Sequence, residues 1–194
     1  MRDTGYDAIV LAGGRARRLG GADKPAARVG GRSLLAHVAD AVGDAGRLVV
    51  VGPARPDVPH ARAVREDPPG SGPVPALRAG LAALPDATWL ALLAADLPFL
   101  RPAHLAALLA AAGRTGAGAV LVDADGREQW LAGCWHAPTL RTALGAYDGA
   151  SLRGLLGPLR PAPVRLPADA RPPWFDCDTP EDLTRARALW PGRA

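Results

Sequence analysis

Residues 11–24, LAGGRARRLGGADK, combine residue types that suit the binding of phosphate groups. Gly13 and Gly14 have no Cβ, so the backbone N–H groups of this turn can approach phosphate oxygens closely. Arg18 and Lys24 add positive charge, and Lys24 is the only lysine among the 23 basic residues. An ammonium group is a compact charge that can follow a phosphoryl group as it moves, whereas a guanidinium offers a fixed fork. The stretch therefore predicts a polyphosphate site in which Lys24 has a specific role.

Other interpretations of this stretch stay open at the level of the residues. Adjacent glycines also make tight connections between a strand and a helix, and a single lysine can lie on a solvated face. Two common nucleotide motifs are excluded, because GxGxxG does not occur and GxxxxGK[ST] fails where Lys24 precedes Pro25. The stretch is therefore neither a dehydrogenase fingerprint nor a P-loop.

Asp96 is a candidate metal ligand. It ends the apolar segment 89–96, WLALLAAD, and precedes Leu97 and Pro98. A carboxylate at the carboxyl end of a strand, facing a phosphate-binding loop, suits a Mg²⁺ ion that bridges nucleotide phosphates. An ordinary turn or capping residue is the alternative interpretation.

Apolar runs and helical patterns predict the elements that would position these residues. Continuous apolar runs that end in glycine or aspartate are typical of strands buried on both faces. Helices are expected where apolar residues recur at helical spacing after a capping residue such as Ser33 or Thr179. The predicted strands are 6–12, 47–52, 61–67, 89–96, 117–126 with its turn, 130–136 and 175–178, and the predicted helices are 33–46, 73–84, 102–113, 138–146, 151–156 and 179–190.

The alternation of strands and helices predicts an α/β fold. We expect a single domain spanning residues 1–194, built as a three-layer α/β/α sandwich with a mostly parallel, Rossmann-like sheet. Ligands of such sheets bind beyond the carboxyl ends of the strands. The glycine loop, Asp67, Asp96 and Asp178 all follow predicted strands, so this edge of the sheet is the expected site.

Composition excludes several classes of function. The net charge of +4 comes with scattered arginines and no asparagine, a pattern that a GC-rich coding sequence produces, so nucleic-acid binding is not expected. No apolar run is long enough to span a bilayer, and the first residues do not form a signal peptide. Cys134 and Cys177 have no metal-binding or disulfide spacing and are expected to be buried apolar residues. We therefore expect a cytoplasmic protein without membrane partners.

Five motifs along the chain carry a family resemblance. LAGG-x3-R-x-G-G-x-D-K at 11–24 is followed by RED at 65–67, GSGPVPALRAGL at 70–81, AADLPFL at 94–100 and DTPEDL at 178–183. In this order they resemble the MobA-like nucleotidyltransferase superfamily and, within it, the molybdenum cofactor guanylyltransferases. The resemblance implies a magnesium-dependent transfer of GMP from GTP to the phosphate of molybdopterin, with release of pyrophosphate.

The resemblance also implies roles for individual residues. An anionic phosphate is already nucleophilic, so catalysis would consist of positioning and charge neutralisation. Arg18, Lys24 and Asp96 would be the catalytic residues. The residues expected to bind the nucleotide are Leu11, Ala12, Gly13, Gly14, Lys24, Asp67 and Asp96, and Asp96 would also bind Mg²⁺.

The chain departs from the family pattern near its end and at two other positions. Asp176 and Asp178 stand where the family usually has asparagine, and DCDTPED resembles the ending of the related cytidylyltransferases. Both aspartates are expected to contact the acceptor, and Asp178 would also help to bind metal. Gly52 stands where the guanylyltransferases often have asparagine, so one contact to the base or ribose would be missing. Trp130 stands where proline is common, so the shape of the acceptor pocket is an open question.

Alternatives to guanylyl transfer follow from these departures. CTP in place of GTP, or another phosphorylated acceptor, would use the same chemistry. A non-catalytic nucleotide-binding domain is the alternative from a different class, although Lys24 and Asp96 are both present. The sequence gives no indication of the oligomeric state.

Overall fold

A computed structural model describes residues 5–13, 23–167 and 169–190 of the chain. Within these ranges, strands and helices alternate along the chain as expected. The strands are β1 (Asp7–Leu11), β2 (Arg28–Val29), β3 (Arg32–Ser33), β4 (Leu48–Val51), β5 (Arg62–Val64), β6 (Trp89–Ala94), β7 (Gly118–Val122), β8 (Glu128–His136) and β9 (Ala162–Val164). The helices are α1 (Leu34–Ala41), α2 (Pro73–Ala82), α3 (Pro102–Thr115), α4 (Ala137–Gly145), α5 (Leu152–Leu156) and α6 (Pro180–Leu189).

The central sheet has seven strands in the order β5-β4-β1-β6-β8-β7-β9. Its first four strands are parallel to one another, and β7 is parallel to β9. β8 runs antiparallel to both of its neighbours, β6 and β7. The prediction of a mostly parallel sheet is therefore confirmed. Among the described residues, no helix is long and apolar enough to cross a membrane.

Alternate residues of the central strands pack into two separate cores. Ala8 and Val10 of β1 face α1 and α3, whereas Ile9 and Leu11 face α2, α4 and α5. This division follows from the two-residue repeat of a β-strand, which points successive side chains to opposite faces. Helices therefore cover both faces of the sheet, and the three-layer arrangement expected from the sequence is confirmed.

The last helix packs separately from these two cores. Leu183 and Ala186 of α6 contact Val29 of the small β2–β3 hairpin, together with Phe99 and Cys177. The structure thereby links the far end of the chain to the loop that follows β6.

Two sequence expectations need correction. Residues 175–178 do not form a strand; they are an irregular segment that is held by a backbone hydrogen bond from Cys177 to Asp96 (3.3 Å). The β2–β3 hairpin and β9 were not predicted, because they are only two or three residues long and carry no clear apolar alternation.

Candidate active site

The loops after β1 and β6 meet at the carboxyl edge of the sheet. Ala95 N–H donates to the carbonyl of Leu11 (3.2 Å), and Ala12 N–H donates to the carbonyl of Val51 (2.9 Å). Leu11 and Ala12 are buried, whereas Gly13 is exposed at the start of the glycine loop. Because β1 and β6 are adjacent and parallel, the glycine loop begins beside Asp96, as the sequence predicted.

Lys24 lies between two carboxylates. It begins a short 3-10 turn, Lys24–Ala26, and its Nζ forms ion pairs with Asp96 and Asp178. The exposed fractions of the Lys24 and Asp96 side chains are 19% and 14%, so this ion pair is largely shielded from solvent, whereas Asp178 is 44% exposed. The structure thus brings together three of the residues selected from the sequence, although they are separated by as many as 154 positions along the chain.

The carboxylates keep the lysine charged. Burial alone would lower the pKa of Lys24, but the adjacent Asp96 and Asp178 outweigh this effect, and the pKa lies above the ordinary lysine value. Lys24 is therefore a cation at physiological pH. It is suited to neutralising phosphate charge and not to accepting a proton.

Asp176 completes an acidic edge next to this cluster. Loss of hydration raises the pKa of Asp176, and the negative charges of Asp178 and Asp96 raise it further. Between the two aspartates, Cys177 is buried, and burial raises the pKa of its thiol to about 12. Burial alternates along residues 176–178, as it does in an extended segment: the Cys177 thiol points inward and the two carboxylates point to the opposite side.

Three predicted residues lie elsewhere or outside the described ranges. Asp67 is exposed in the loop after β5, and it takes no part in the ion pairs that Lys24 forms. Gly14 and Arg18 lie outside the described residues. Their roles, like the nucleotide contact expected of Asp67, stay predictions.

Sequence reasoning missed Glu66. This residue is buried, and its carboxylate accepts a hydrogen bond from Gly70 N–H (2.8 Å). A Cβ on Gly13 would lie 3.5 Å from Glu66 Oε1, so Glu66 lies against the start of the glycine loop. The RED motif at 65–67 contains two adjacent acids, and no periodic pattern around them indicates which one points inward.

Sequence reasoning also missed Arg55. Its guanidinium forms a two-point ion pair with Asp23, the residue before Lys24. The Arg55 side chain is only 14% exposed. Arg55 thereby connects the loop after β4 to the end of the glycine loop and holds the start of the Lys24 turn.

The donor set of the cluster fits Mg²⁺. Asp96 Oδ1 is buried and accepts no hydrogen bond from the described residues, so it retains a lone pair for a cation. Among those residues no group of three or more His, Cys, Asp or Glu side chains forms a metal cage. Magnesium is commonly bound by one or two carboxylates together with substrate phosphates and water. Asp96 and Asp178 match that pattern.

A pocket of about 610 Å³ adjoins the cluster. Asp96, Asp176 and Asp178 line one part of it, and Trp130 and Trp174 line another. The volume lies within the range of sites that bind small organic molecules, roughly 300–1,000 Å³. A charged edge next to an aromatic pocket suits a molecule with a phosphate group and a flat apolar body.

The fold and this charged edge define a class of nucleotidyltransferases. The family model of the MobA-like NTP transferase domain matches residues 8–164. The chain belongs to this family, and the enzyme class expected from the sequence is confirmed.

Curated relatives identify the branch of the family that the chain resembles. It is 33% identical to the molybdenum cofactor guanylyltransferase of Bradyrhizobium sp. (strain ORS 278), over 96% of this chain and 93% of the relative. It is 34% identical to the enzyme of the same name from Rhodopseudomonas palustris (strain BisB5), over 94% and 92% of the two chains. The resemblance drawn from the five motifs is thus confirmed.

A solved structure shows the same fold. Molybdopterin-guanine dinucleotide biosynthesis protein A from Archaeoglobus fulgidus superposes with a TM-score of 0.69 and 21% identity, covering 94% of this chain and 97% of that one.

Proposed function

We propose that the protein transfers GMP from GTP to the phosphate of molybdopterin and releases pyrophosphate. The observation that carries this proposal is the Lys24–Asp96–Asp178 cluster at the carboxyl edge of the sheet, beside a pocket for the acceptor. The names of the curated relatives supply the nucleotide and the product class. Magnesium is the cofactor that the carboxylates suit.

The reaction needs no activated side-chain nucleophile. A phosphate oxygen of the acceptor forms a bond to the α-phosphorus of GTP, while the bond to the bridging oxygen breaks and pyrophosphate leaves. Negative charge grows on the leaving group during this step, so the protein contributes positioning and positive charge. Lys24, whose pKa is raised and which is therefore charged, would donate hydrogen bonds to the phosphates.

Other residues would hold the triphosphate and the acceptor. The backbone N–H groups of Gly13 and Gly14 would contact the phosphates, whereas the Ala12 N–H already donates to the carbonyl of Val51 and Leu11 ends β1. Arg18 would add charge to the same loop. Asp96 and Asp178 would bind magnesium, which when bound withdraws negative charge from the phosphates. Asp176 and Asp178 would meet the acceptor phosphate at the mouth of the pocket.

Cytidylyl transfer is the second candidate, and one observation favours it. Gly52 stands where guanylyltransferases often have asparagine, and a Cβ added there would lie 3.0 Å from the carbonyl oxygen of Ala12, so an asparagine would require the backbone to shift. A nucleobase contact made by that asparagine would be missing. Together with DCDTPED at 176–182, this keeps CTP as the alternative nucleotide.

Thermal unfolding with four nucleotides tests the proposal. A ligand that binds only the folded state raises the melting temperature. We expect GTP with Mg²⁺ to raise it more than ATP, CTP or UTP, and GTP with molybdopterin to yield pyrophosphate. A shift with CTP alone would replace guanylyl by cytidylyl transfer, and no shift with any of the four would exclude the enzymatic proposal.

We also propose that the whole chain forms one such domain and acts in the cytoplasm, without nucleic-acid partners. The scattered arginines support this view, because they form no basic stripe of the kind that nucleic-acid binding requires.

A further inference from the structure

The pocket beside the cluster has features that the phosphate chemistry does not use. Trp130 and Trp174 contribute its aromatic surface, and Glu128 and Arg153 are its charged lining residues outside the aspartate cluster. We propose that this pocket binds the fused nitrogen heterocycle of the acceptor and that Glu128 recognises the hydrogen-bond donor edge of that ring. The inference rests on the proposed function and adds the residue that would select the acceptor.

Trp130 is held firmly enough to form a binding wall. Its ring stacks near that of the fully buried Trp135, with centroids 6.5 Å apart and planes 24° apart. A Cβ on Gly157 would lie 3.8 Å from Trp130 Cη2, so the turn after α5 lies near the tip of the ring. Indole rings fixed in this way offer flat surfaces on which a planar heterocycle can stack.

An irregularity in β8 presents this region to the pocket. Gly133 pairs with Val120, but Gln129 pairs with the next residue of β7, Leu121. Relative to β7, residues 130–132 of β8 are therefore extra, although Ala132 still pairs with Leu93 of β6. Bulges of this kind redirect side chains and are frequent next to active sites.

Two polar groups of the pocket are already engaged, and two are available. Gln129 Nε2 donates to Asp123 (2.9 Å), and the Ser151 hydroxyl accepts from Gly154 N–H (3.0 Å). By contrast, the side chains of Glu128 and Arg153 form no ion pair or hydrogen bond with the other described residues. A ligand in the pocket would meet these two groups without displacing an existing contact.

The chemistry of Glu128 selects one kind of ring edge. A 2-amino-4-oxopteridine places an amino N–H and a ring N–H side by side, and a carboxylate can accept both hydrogen bonds at once. The corresponding 2,4-dioxopteridine has a carbonyl in place of the amino group, so one of the two bonds would be lost and replaced by repulsion. Arg153 has the opposite preference and suits carbonyl or anionic groups of the same ligand.

Calorimetric titration with two commercial rings tests this recognition. The probes are pterin, which is the 2-amino-4-oxo ring, and lumazine, which is the 2,4-dioxo ring. We expect the wild-type protein to bind pterin about 10-fold more tightly than lumazine or better, because a hydrogen bond to a charged group is at stake. Glu128→Gln should lose most of this preference, since an amide offers only one acceptor. Glu181→Gln, the same change at an exposed position on α6, should keep it.

The outcome separates this inference from the proposed function. Equal binding of the two rings by the wild type, or an unchanged preference in Glu128→Gln, would overturn the role of Glu128. Stabilisation by GTP, measured in parallel, should be the same in Glu128→Gln as in the wild type. If no nucleotide stabilises the wild type, the proposed function fails, whatever the rings do. In turnover, Glu128→Gln should raise the KM for molybdopterin and leave the KM for GTP unchanged.

Discussion

Lys24 lies where its ammonium can neutralise either the two carboxylates or the phosphates of a substrate. Its ammonium neutralises Asp96 and Asp178, which would otherwise repel each other and a triphosphate. In the proposed function, the phosphates of a bound nucleotide would pair with Lys24, and a magnesium ion would be held by Asp96 and Asp178. The ion pairs therefore offset part of the negative charge of the two carboxylates.

The first prediction concerns this exchange of partners. Lys24→Ala and Asp96→Asn should each reduce kcat by about 100-fold or more, because Lys24 would neutralise phosphate charge directly and Asp96 would do so through the magnesium ion that it holds. Lys24→Arg should restore little, since a guanidinium cannot replace a small ammonium between two carboxylates. Steady-state kinetics with GTP measures the effect, and circular dichroism checks that the variants are folded. A variant that keeps a near wild-type rate would remove that residue from the mechanism.

The second prediction follows from the raised pKa of Asp176. Because its pKa is higher in the folded than in the unfolded chain, the ionised side chain destabilises the fold at neutral pH, and this loss is relieved as the pH falls through the folded pKa. Asp176→Asn should therefore raise the melting temperature at neutral pH, and the difference from wild type should shrink in acid. Asp148→Asn is the control and should change little, because Asp148 is exposed like Asp176 but does not line the pocket beside Asp96 and Asp178. A lower melting temperature for Asp176→Asn at neutral pH would contradict the electrostatic interpretation.

Short elements and caps position these residues. The 3-10 turn that begins at Lys24 is three residues long and has no buried residue of its own, so contacts from outside must hold it. Arg55 provides one such contact through Asp23. At the other end of the site, Asp178 precedes the N-cap of α6, and the capping box of that helix orients the acidic segment.

The third prediction tests the contact from Arg55. Arg55→Ala should lower kcat/KM for GTP by about 10-fold, because small displacements of a catalytic group are costly. Arg55→Lys should recover only part of the loss, since lysine lacks the two-point geometry. Arg47→Ala is the matched control: it breaks another two-point pair, with Asp7, at the opposite end of β1. Equal kinetic effects of Arg55→Ala and Arg47→Ala would show that the Arg55 contact has only a structural role.

The fourth prediction tests the cap of α6. Thr179 accepts a hydrogen bond from Asp182 N–H (3.1 Å), and Asp182 accepts one from Thr179 N–H (2.9 Å). Thr179→Ala should destabilise the protein by about 1 kcal/mol, which corresponds to a melting temperature lower by about 2–4 °C. Thr179→Ser keeps the hydroxyl and should stay close to wild type. Calorimetry of the three proteins decides the point; a fully stable Thr179→Ala would mean that α6 is held by packing alone.

At the scale of the whole molecule, the order of the strands creates the site. β1 and β6 are neighbours in the sheet although more than 70 residues separate them in the sequence, and α6 returns the end of the chain to the loop after β6. The helices pack directly against the two faces of the sheet. On one face, α2 approaches so closely that a Cβ at Gly80 would lie 2.9 Å from Ile9 and 3.1 Å from Val51.

The fifth prediction concerns this close approach. Gly80→Ala should destabilise the protein by about 1–3 kcal/mol, because Ile9 is fully buried and cannot move aside without disturbing the core. Gly113→Ala in α3 is the control, since nothing lies within 4 Å of the added methyl group. It should be neutral or stabilise the protein by up to about 1 kcal/mol. Denaturant unfolding compares the two; similar effects at both positions would refute tight packing of α2.

The sequence by itself determined the local features. Apolar runs that alternate with helical patterns predicted β1, β4, β6 and most of the helices, because each of these signals is contained in a few consecutive residues. The same holds for the capping box of α6. Lys24 and Asp96 were selected because their chemistry is unusual for their positions, and the structure brings them together.

Only the tertiary structure decided the features that depend on distant contacts. The pairing of Lys24 with Asp178, the support from Arg55 and the inward position of Glu66 join segments far apart in the chain, and no local pattern encodes which partner they meet. Residues 175–178 have the alternating pattern of a strand. In the structure, however, they form only one backbone hydrogen bond to the loop after β6, from Cys177 to Asp96. A strand needs a neighbour along its length, and the neighbour is supplied by the fold and not by the segment itself.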